Sequence, residues 1–203
     1  MSQTKKKNNS LSAARKARRK EKNPNLATPE TISQFSVKQT VTSLHAASPK
    51  GINVGTLLAT SEPPLFLSGG KDGSIIIVNV NEGEIVWKTI KAHSKKVSAL
   101  EWGKNQDGLF LSGGGDGIVK GWKLEDKEAS NQWENNLHSA EICGISLHPT
   151  GNFAVSAGAD GKWALFDTTN GKEILSVSDS DIGKLNAKFY FSLILQVLLV
   201  VFS

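Results

Sequence analysis

The sequence predicts an all-β chain built from a repeated four-stranded unit, preceded by a disordered basic arm. Three observations carry this prediction. First, Leu65–Gly73 (LFLSGGKDG) and Leu109–Gly117 (LFLSGGGDG) agree at eight of nine positions, 44 residues apart. A third copy, Phe153–Gly161 (FAVSAGADG), follows after a further 44 residues, so Ser68, Ser112 and Ser156 are evenly spaced, as are Asp72, Asp116 and Asp160. Second, every copy has an apolar run, an Asp-Gly pair and a second β-rich run, with no helical periodicity. Third, the basic residues are segregated: residues 1–24 hold nine of them and one acid, Glu21, whereas the rest of the chain is net acidic by three charges.

The elements of one unit follow in order. An alternating strand opens it, as in Val97–Trp102 (VSALEW) and Ile142–Leu147 (ICGISL). The apolar run before Asp-Gly is the second strand. Ser74–Val80, Ile118–Leu124 and Lys162–Thr168 supply the third. Glu84–Ile90 and Glu173–Val177 supply the fourth. Asp-Gly between two β runs predicts a two-residue hairpin turn with both residues at positive φ. Four short strands in about 44 residues describe one blade of a β-propeller. The repeats fall near 45–92, 93–137 and 138–178, and Leu185–Tyr190 (LNAKFY) reads as the opening strand of a fourth begun over 182–190. The predicted division is a disordered arm over 1–36, about three blades over 37–188, and a tail over 189–203.

The two ends differ from the repeats. The arm contains almost no large apolar residues and cannot offset chain entropy by burial. Its clusters Lys5–Lys7 and Arg15–Lys22 read either as a solvated linker or as a nuclear-import or phosphate-contacting segment. The sequon at Asn8 is discounted, because no secretory leader follows the start. Phe189–Phe202 (FYFSLILQVLLVVF) is too short for a spanning helix, which needs about 20 residues. It reads as a buried strand pair, a membrane anchor or a tail outside the repeat pattern, and the third fits the loss of Gly/Asp punctuation.

Residues that carry chemistry elsewhere are here read as structural. Ser, His and Asp recur once per repeat, whereas a catalytic triad is needed once. Asp179 and Asp181 read as loop residues. Gly113–Gly117 is a turn rather than a dinucleotide loop, since Ile118 stands at the sixth position. Cys143, the single cysteine, excludes an intramolecular disulfide and reads as a buried small hydrophobe sharing a face with Ile145 and Leu147. No catalytic residue, metal site or cofactor is assigned, and binding through loops on a rigid scaffold remains.

These residues resemble the WD-repeat family. Trp122-Lys123 and Phe166-Asp167 stand at its Trp-Asp dipeptide, with Val78-Asn79 as a degenerate copy, and His45, His93 and His138 stand at its repeat-opening histidine. The resemblance implies a structural hydrogen-bond tetrad in the second repeat: His93, Ser112, Asp116 and Trp122. The third keeps His138, Ser156 and Asp160 with Phe166 in place of the indole; the first has His45, Ser68 and Asp72 with Val78, and a longer His-to-Asp gap. It also puts Lys71, Lys95, Lys96 and Glu141 on one rim as binding residues.

The flanks (QTVTSLHAASPKGI, KAHSKKVSALEW and LHSAEICGISLHPTGNFAVSAGADGKWALFD) are similar to the propeller of spliceosome-associated U-box ubiquitin ligases of the Nineteen complex. That similarity covers roughly residues 23 to 190. It implies a nuclear scaffold in mRNA splicing, DNA repair and ubiquitination, with splicing-complex subunits and ubiquitination substrates as protein partners and no membrane. The ligases carry a U-box, a coiled coil and seven blades; no U-box or heptad run is present here, so this chain alone is expected to be inactive as a transferase. Three blades with a Gln39–Leu44 strand lacking a closing partner are expected not to form a stable closed monomer, as in a truncated product. The alternative is a WD-repeat adaptor whose basic arm contacts RNA weakly, of the ribosome-assembly kind.

Overall fold

A computed structural model describes residues 40–42, 44–45, 49–103 and 108–178. The arm, the 182–190 strand, Asp179, Asp181 and the 189–203 tail lie outside the described residues. Among the described residues there are twelve strands, all within one compact unit, Val41–Ser203. They form three antiparallel four-stranded sheets, each wound in chain order. The first holds β1 (Ile52–Leu58), β2 (Leu65–Gly70), β3 (Ile75–Asn79) and β4 (Ile85–Thr89). The second holds β5 (Val97–Trp102), β6 (Leu109–Gly114), β7 (Ile118–Glu125) and β8 (Glu128–Asn136). The third holds β9 (Ile142–Leu147), β10 (Phe153–Gly158), β11 (Lys162–Asp167) and β12 (Glu173–Ser178). The chain is thus all-β, a partial propeller of three blades among the described residues.

The sheets pack through their opening strands: β5 lies against β1 and β2, and β9 against β5 and β6. Period-2 alternation explains why. Leu67, Ile75 and Ile77 on the first sheet meet Val97, Leu100, Phe110 and Trp122 on the second. Leu111 and Val119 on the second sheet meet Ile142, Ile145, Leu147 and Phe166 on the third. Inner strands are therefore buried on both faces, as in Ile75–Asn79, where every residue is buried.

The outer strands carry weaker signals. Sequence patterning passes over β8, whose residues EASNQWENN are mostly polar. Its ladder to β7 supplies backbone hydrogen bonds whatever the side chains are. Only Trp133 and Ala129 turn toward apolar neighbours there. The opening strand of the first sheet, β1, is likewise absent from the pattern because Ile52 and Leu57 stay exposed.

Three expectations need correction. The Asp-Gly turns are not two-residue turns with paired positive φ. Only the glycines take it, at φ 77° for Gly73, 83° for Gly117 and 75° for Gly161. Gly73 N–H donates to Gly70 O at 3.3 Å and Gly70 N–H to Ser74 O at 2.9 Å, so the loop has three residues closed by a left-handed glycine. The aspartate stays right-handed and its Oδ1 accepts the N–H two residues on, at 3.0 Å from Ser74 and 3.2 Å from Ile118. Cys143 is half-buried rather than a core residue. A register shift in β10 opposite Ile142–Gly144 puts Ile142, not Cys143, on the face shared with Ile145 and Leu147. Of the Gln39–Leu44 segment, Thr40–Thr42 and Leu44 are described and form no strand.

Candidate functional site

Antiparallel winding gives each sheet two ends. One carries the Asp-Gly turns and the loops leading into β5 and β9. The other carries the β1–β2, β3–β4, β5–β6 and β7–β8 connections. The histidine rows sit at the first end and hold its loops in place.

In the second repeat four side chains meet in one row. Trp122 Nε1 donates to Ser112 Oγ at 2.9 Å, and His93 Nε2 lies 2.8 Å from the same oxygen. His93 Nδ1 lies 3.1 Å from Asp116 Oδ1. The Asp116 carboxylate can only accept, so the proton of the neutral ring sits on Nδ1; Nε2 is then an acceptor, and the Ser112 hydroxyl, which accepts from the indole, donates to it. Burial pushes the His93 pKa down, and Asp116 opposes this without reversing it. Burial pushes Asp116 up, but His93 and the N–H groups of Ser94 and Ile118 bring it below the usual carboxylate range. The row is thus a neutral imidazole against a carboxylate. Ser94 N–H donates to Asp116 Oδ2 at 2.9 Å, which ties the loop before β5 to the turn after β6.

The third repeat repeats this with one part missing. His138 lies 2.8 Å from Ser156 Oγ and 3.1 Å from Asp160 Oδ1, and Ser139 N–H donates to Asp160 at 2.9 Å. Phe166 fills the indole's place, fully buried. The first repeat differs further. His45 Nε2 lies 3.0 Å from Ser68 Oγ, but its Nδ1 is 3.4 Å from Asp72 and 2.7 Å from Ser74 Oγ. Ser74 Oγ donates to Asp72 Oδ1 at 2.6 Å, so a serine relays between imidazole and carboxylate. Ser74 was not legible as a member of the row, because Ile118 and Lys162 stand at its equivalents. Val78 is buried with Leu44 and Ile76 and donates nothing.

The rows have the Ser-His-Asp order of a hydrolase, yet Ser68, Ser112 and Ser156 are all fully buried. A nucleophile must reach its substrate, and these hydroxyls reach only the protein interior. Their chemistry is to lock loops.

What the loops present is charge. Lys71 follows β2, Lys95 and Lys96 precede β5, and all three line one groove of about 1050 Å³ formed by the loops of all three sheets, together with Asp72 and Glu141. Lys96 Nζ is held by Glu141 at 2.8 Å, linking the second and third sheets. Lys71 and Lys95 are exposed, with no ion pair among the described residues. Lys91, which sequence reasoning did not single out, joins them with a left-handed backbone at φ 60°. A lone lysine in a loop gives no sequence signal for such a position.

Comparison with known proteins is consistent with this architecture. The family model of the WD domain, G-beta repeat, matches residues 86–123 and 133–167. Pre-mRNA-processing factor 19 of Bos taurus is 30% identical over 173 residues, 85% of this chain and 33% of the relative. The Caenorhabditis elegans protein of the same name is also 30% identical over 173 residues. Pre-mRNA-processing factor 19 homolog 2 of Arabidopsis thaliana is 30% identical over 155 residues, 76% of this chain and 29% of the relative. The chain thus spans about a third of the length of these relatives. Among solved structures, a chain of the mitotic checkpoint complex superposes with a TM-score of 0.58 at 16% identity, covering 66% of this chain and 39% of that one. The computationally designed Ika8 protein superposes at 0.52 with 24% identity, covering 63% of this chain and 36% of that one. Both show the fold alone.

Proposed function

We propose that this chain, a WD-repeat chain similar to pre-mRNA-processing factor 19, is a protein-binding scaffold of pre-mRNA processing that works in the nucleus. The observation that supports this most is the pairing of buried, locked Ser-His-Asp rows with a rim of lysines, of which Lys71, Lys91 and Lys95 make no ion pair among the described residues. Hydrogen bonding is spent inside on loop position, and charge is left outside for recognition. Lys71, Lys91 and Lys95 face one groove, and Glu141 fixes Lys96 beside them. A groove with this excess of one sign steers and orients an acidic partner surface. Splicing-complex subunits are the partners this reading names. The arm over 1–36, the repeats over 37–188 and the tail over 189–203 belong to the same reading, with the arm directing nuclear entry.

The test is recovery of tagged chain from nuclear extract after nuclease treatment, with associated proteins identified by mass spectrometry. Splicing proteins should co-purify and should be lost with Lys71→Glu/Lys95→Glu. Recovery of ribosome-assembly proteins, or binding abolished by nuclease, would favour the RNA-dependent adaptor instead. A reporter fused to residues 1–24 should enter the nucleus.

A further inference from the structure

Ser94 stands in the loop that leads into β5 and lines the same groove as Lys71, Lys91, Lys95 and Lys96. Its side chain is exposed. Its N–H and its hydroxyl both donate to Asp116 Oδ2, at 2.9 Å and 3.2 Å. Basic residues surround it along the chain as well, with Lys91 three positions before it and Lys95 and Lys96 directly after it. Ser139, its counterpart in the third repeat, supplies the contrast. That serine is also exposed, and it meets Asp160 Oδ2 with the same two groups, at 2.9 Å and 3.5 Å. At the same three offsets, however, it has Asn136, Ala140 and Glu141. The two loops share a geometry and differ in charge.

We propose that Ser94 is a phosphorylation site for a protein kinase that selects basic flanks, and that its phosphate closes the lysine groove to acidic partners. Kinases discriminate among substrates by charge pattern, and Lys91, Lys95 and Lys96 give Ser94 a pattern that Ser139 lacks. In the transfer, Ser94 Oγ bonds to the γ-phosphorus of a nucleoside triphosphate. The bond from that phosphorus to the bridging oxygen breaks, the diphosphate leaves with the electron pair, and the hydroxyl proton passes to the kinase's base. The side chain gives up Asp116, but the Ser94 N–H keeps it, so the loop stays tied to its row.

Charge decides the consequence. Four lysines against Asp72 and Glu141 leave the groove with an excess of two positive charges. A phosphoserine brings about −1.5 to −2 at pH 7, so one phosphate cancels that excess. Asp116 repels it on the row side. Lys71, Lys91 and Lys95, which make no ion pair among the described residues, attract it on the groove side. The closing of the groove rests on the rim reading above, whereas the modification itself does not.

The full chain is treated with the catalytic domain of protein kinase C and magnesium ATP, and sites are mapped by tandem mass spectrometry, which separates Ser94 from Ser10 and Ser12 of the arm. Ser94 should be modified and Ser139 should not, and Lys95→Gln should slow the reaction. Modification of a free peptide of residues 88–99, but not of Ser94 in the folded chain, would overturn the site. In phosphorus magnetic resonance the Ser94 phosphate should titrate below the ordinary value of about 6 and return toward it in Lys71→Gln/Lys91→Gln. An ordinary titration in the wild type would show that the lysines do not hold the phosphate, and would overturn the closure. A fluorescent decapeptide of alternating glutamate and leucine, followed by anisotropy, reads the groove itself. Its binding should weaken roughly tenfold on modification, and Ser94→Ala treated in the same way should lose this response. Equal affinity before and after complete modification of Ser94 would also overturn the closure. A peptide that binds neither form sinks the rim reading and the closure with it, while the mapping and the phosphate titration still judge the site.

Discussion

The second and third repeats divide between them what a complete Trp-Asp pair does. The second has Trp122, whose N–H completes the interior row, but is followed by Lys123. The third has Phe166, which donates nothing, but is followed by Asp167. That carboxylate accepts from Thr169 N–H at 2.7 Å and from its hydroxyl at 2.6 Å, which shapes the β11–β12 turn and holds Asp167 below the usual carboxylate range. The first repeat sides with the third: Asn79 Oδ1 accepts from Asn81 N–H at 2.9 Å. Where the acid is absent the turn is built another way. β7 runs two residues past Lys123, and Asp126 and Lys127 close the hairpin with φ 48° and 72°. The indole and the acid are therefore separable parts, one serving the interior lock and the other an outer turn.

The largest expected effect comes from removing the part unique to the second repeat. Trp122→Ala should cost about 3–5 kcal/mol, as for deletion of a buried aromatic. It loses stacking on Phe110 at 5.9 Å and contact with Trp87 at 5.7 Å. Denaturant melts of the purified chain read this out. Next, His93→Ala should cost roughly 1–3 kcal/mol by leaving the Ser112 hydroxyl without an acceptor. His45→Ala should cost less, because Ser68 Oγ has Ile76 O at 3.4 Å to turn to and Ser74 keeps Asp72 satisfied. Equal melting shifts for the two histidine variants would break the comparison.

Acid should weaken all three rows together. The folded pKa values of His45, His93 and His138 lie below the ordinary 6.5, chiefly through burial. Below that value the unfolded chain binds protons that the folded chain resists. The stabilisation is therefore complete above about pH 6.5 and is lost as pH falls through the lowered folded values. Asp72, Asp116 and Asp160, also lowered, add a second loss of the same sign below their ordinary 3.8. Melting temperature should fall from pH 7 to pH 5, and His93→Ala should flatten that fall. A pH-independent melt over this range would mean that the imidazoles are not held neutral.

The smallest effect sharpens the comparison most. Phe166→Trp offers Ser156 the donor it lacks, at the expense of extra volume against Trp133, 5.8 Å away. The net change should lie within about 1 kcal/mol, and a nuclear magnetic resonance signal from the new indole N–H would show whether the bond forms. A loss comparable to Trp122→Ala would show that the third repeat is packed specifically for phenylalanine.

Much of this was legible in the residues. The 44-residue period located the inner strands, and the recurrence of His, Ser and Asp located the rows. Legibility failed where side chains do not decide the outcome. β8 is held by its ladder, so its polar sequence conceals a nine-residue strand. The bulge before Gly144 turned Cys143 off the expected face, which period-2 counting does not anticipate. Ser74 entered the first row because His45 sits farther from its aspartate, a matter of loop geometry. Lys91 joins a groove assembled from segments distant in the chain, a meeting that leaves no local pattern.

The placement of the tryptophans has a spectroscopic consequence. Trp87, on the outer strand of the first sheet, reaches across to Trp122 and Phe110 of the second. Trp133, two residues further along the equivalent repeat position, reaches across to Phe166 of the third and donates to Thr168 O at 2.7 Å. Each seam between sheets thus has its own chromophore set: a coupled indole cluster at the first and a lone indole at the second. Separation of the first seam would abolish the exciton couplet of Trp87 and Trp122 in far-ultraviolet circular dichroism, whereas separation of the second would shift the emission of Trp133. The molecule carries two optical gauges, and which one moves first tells which pair of sheets parts first.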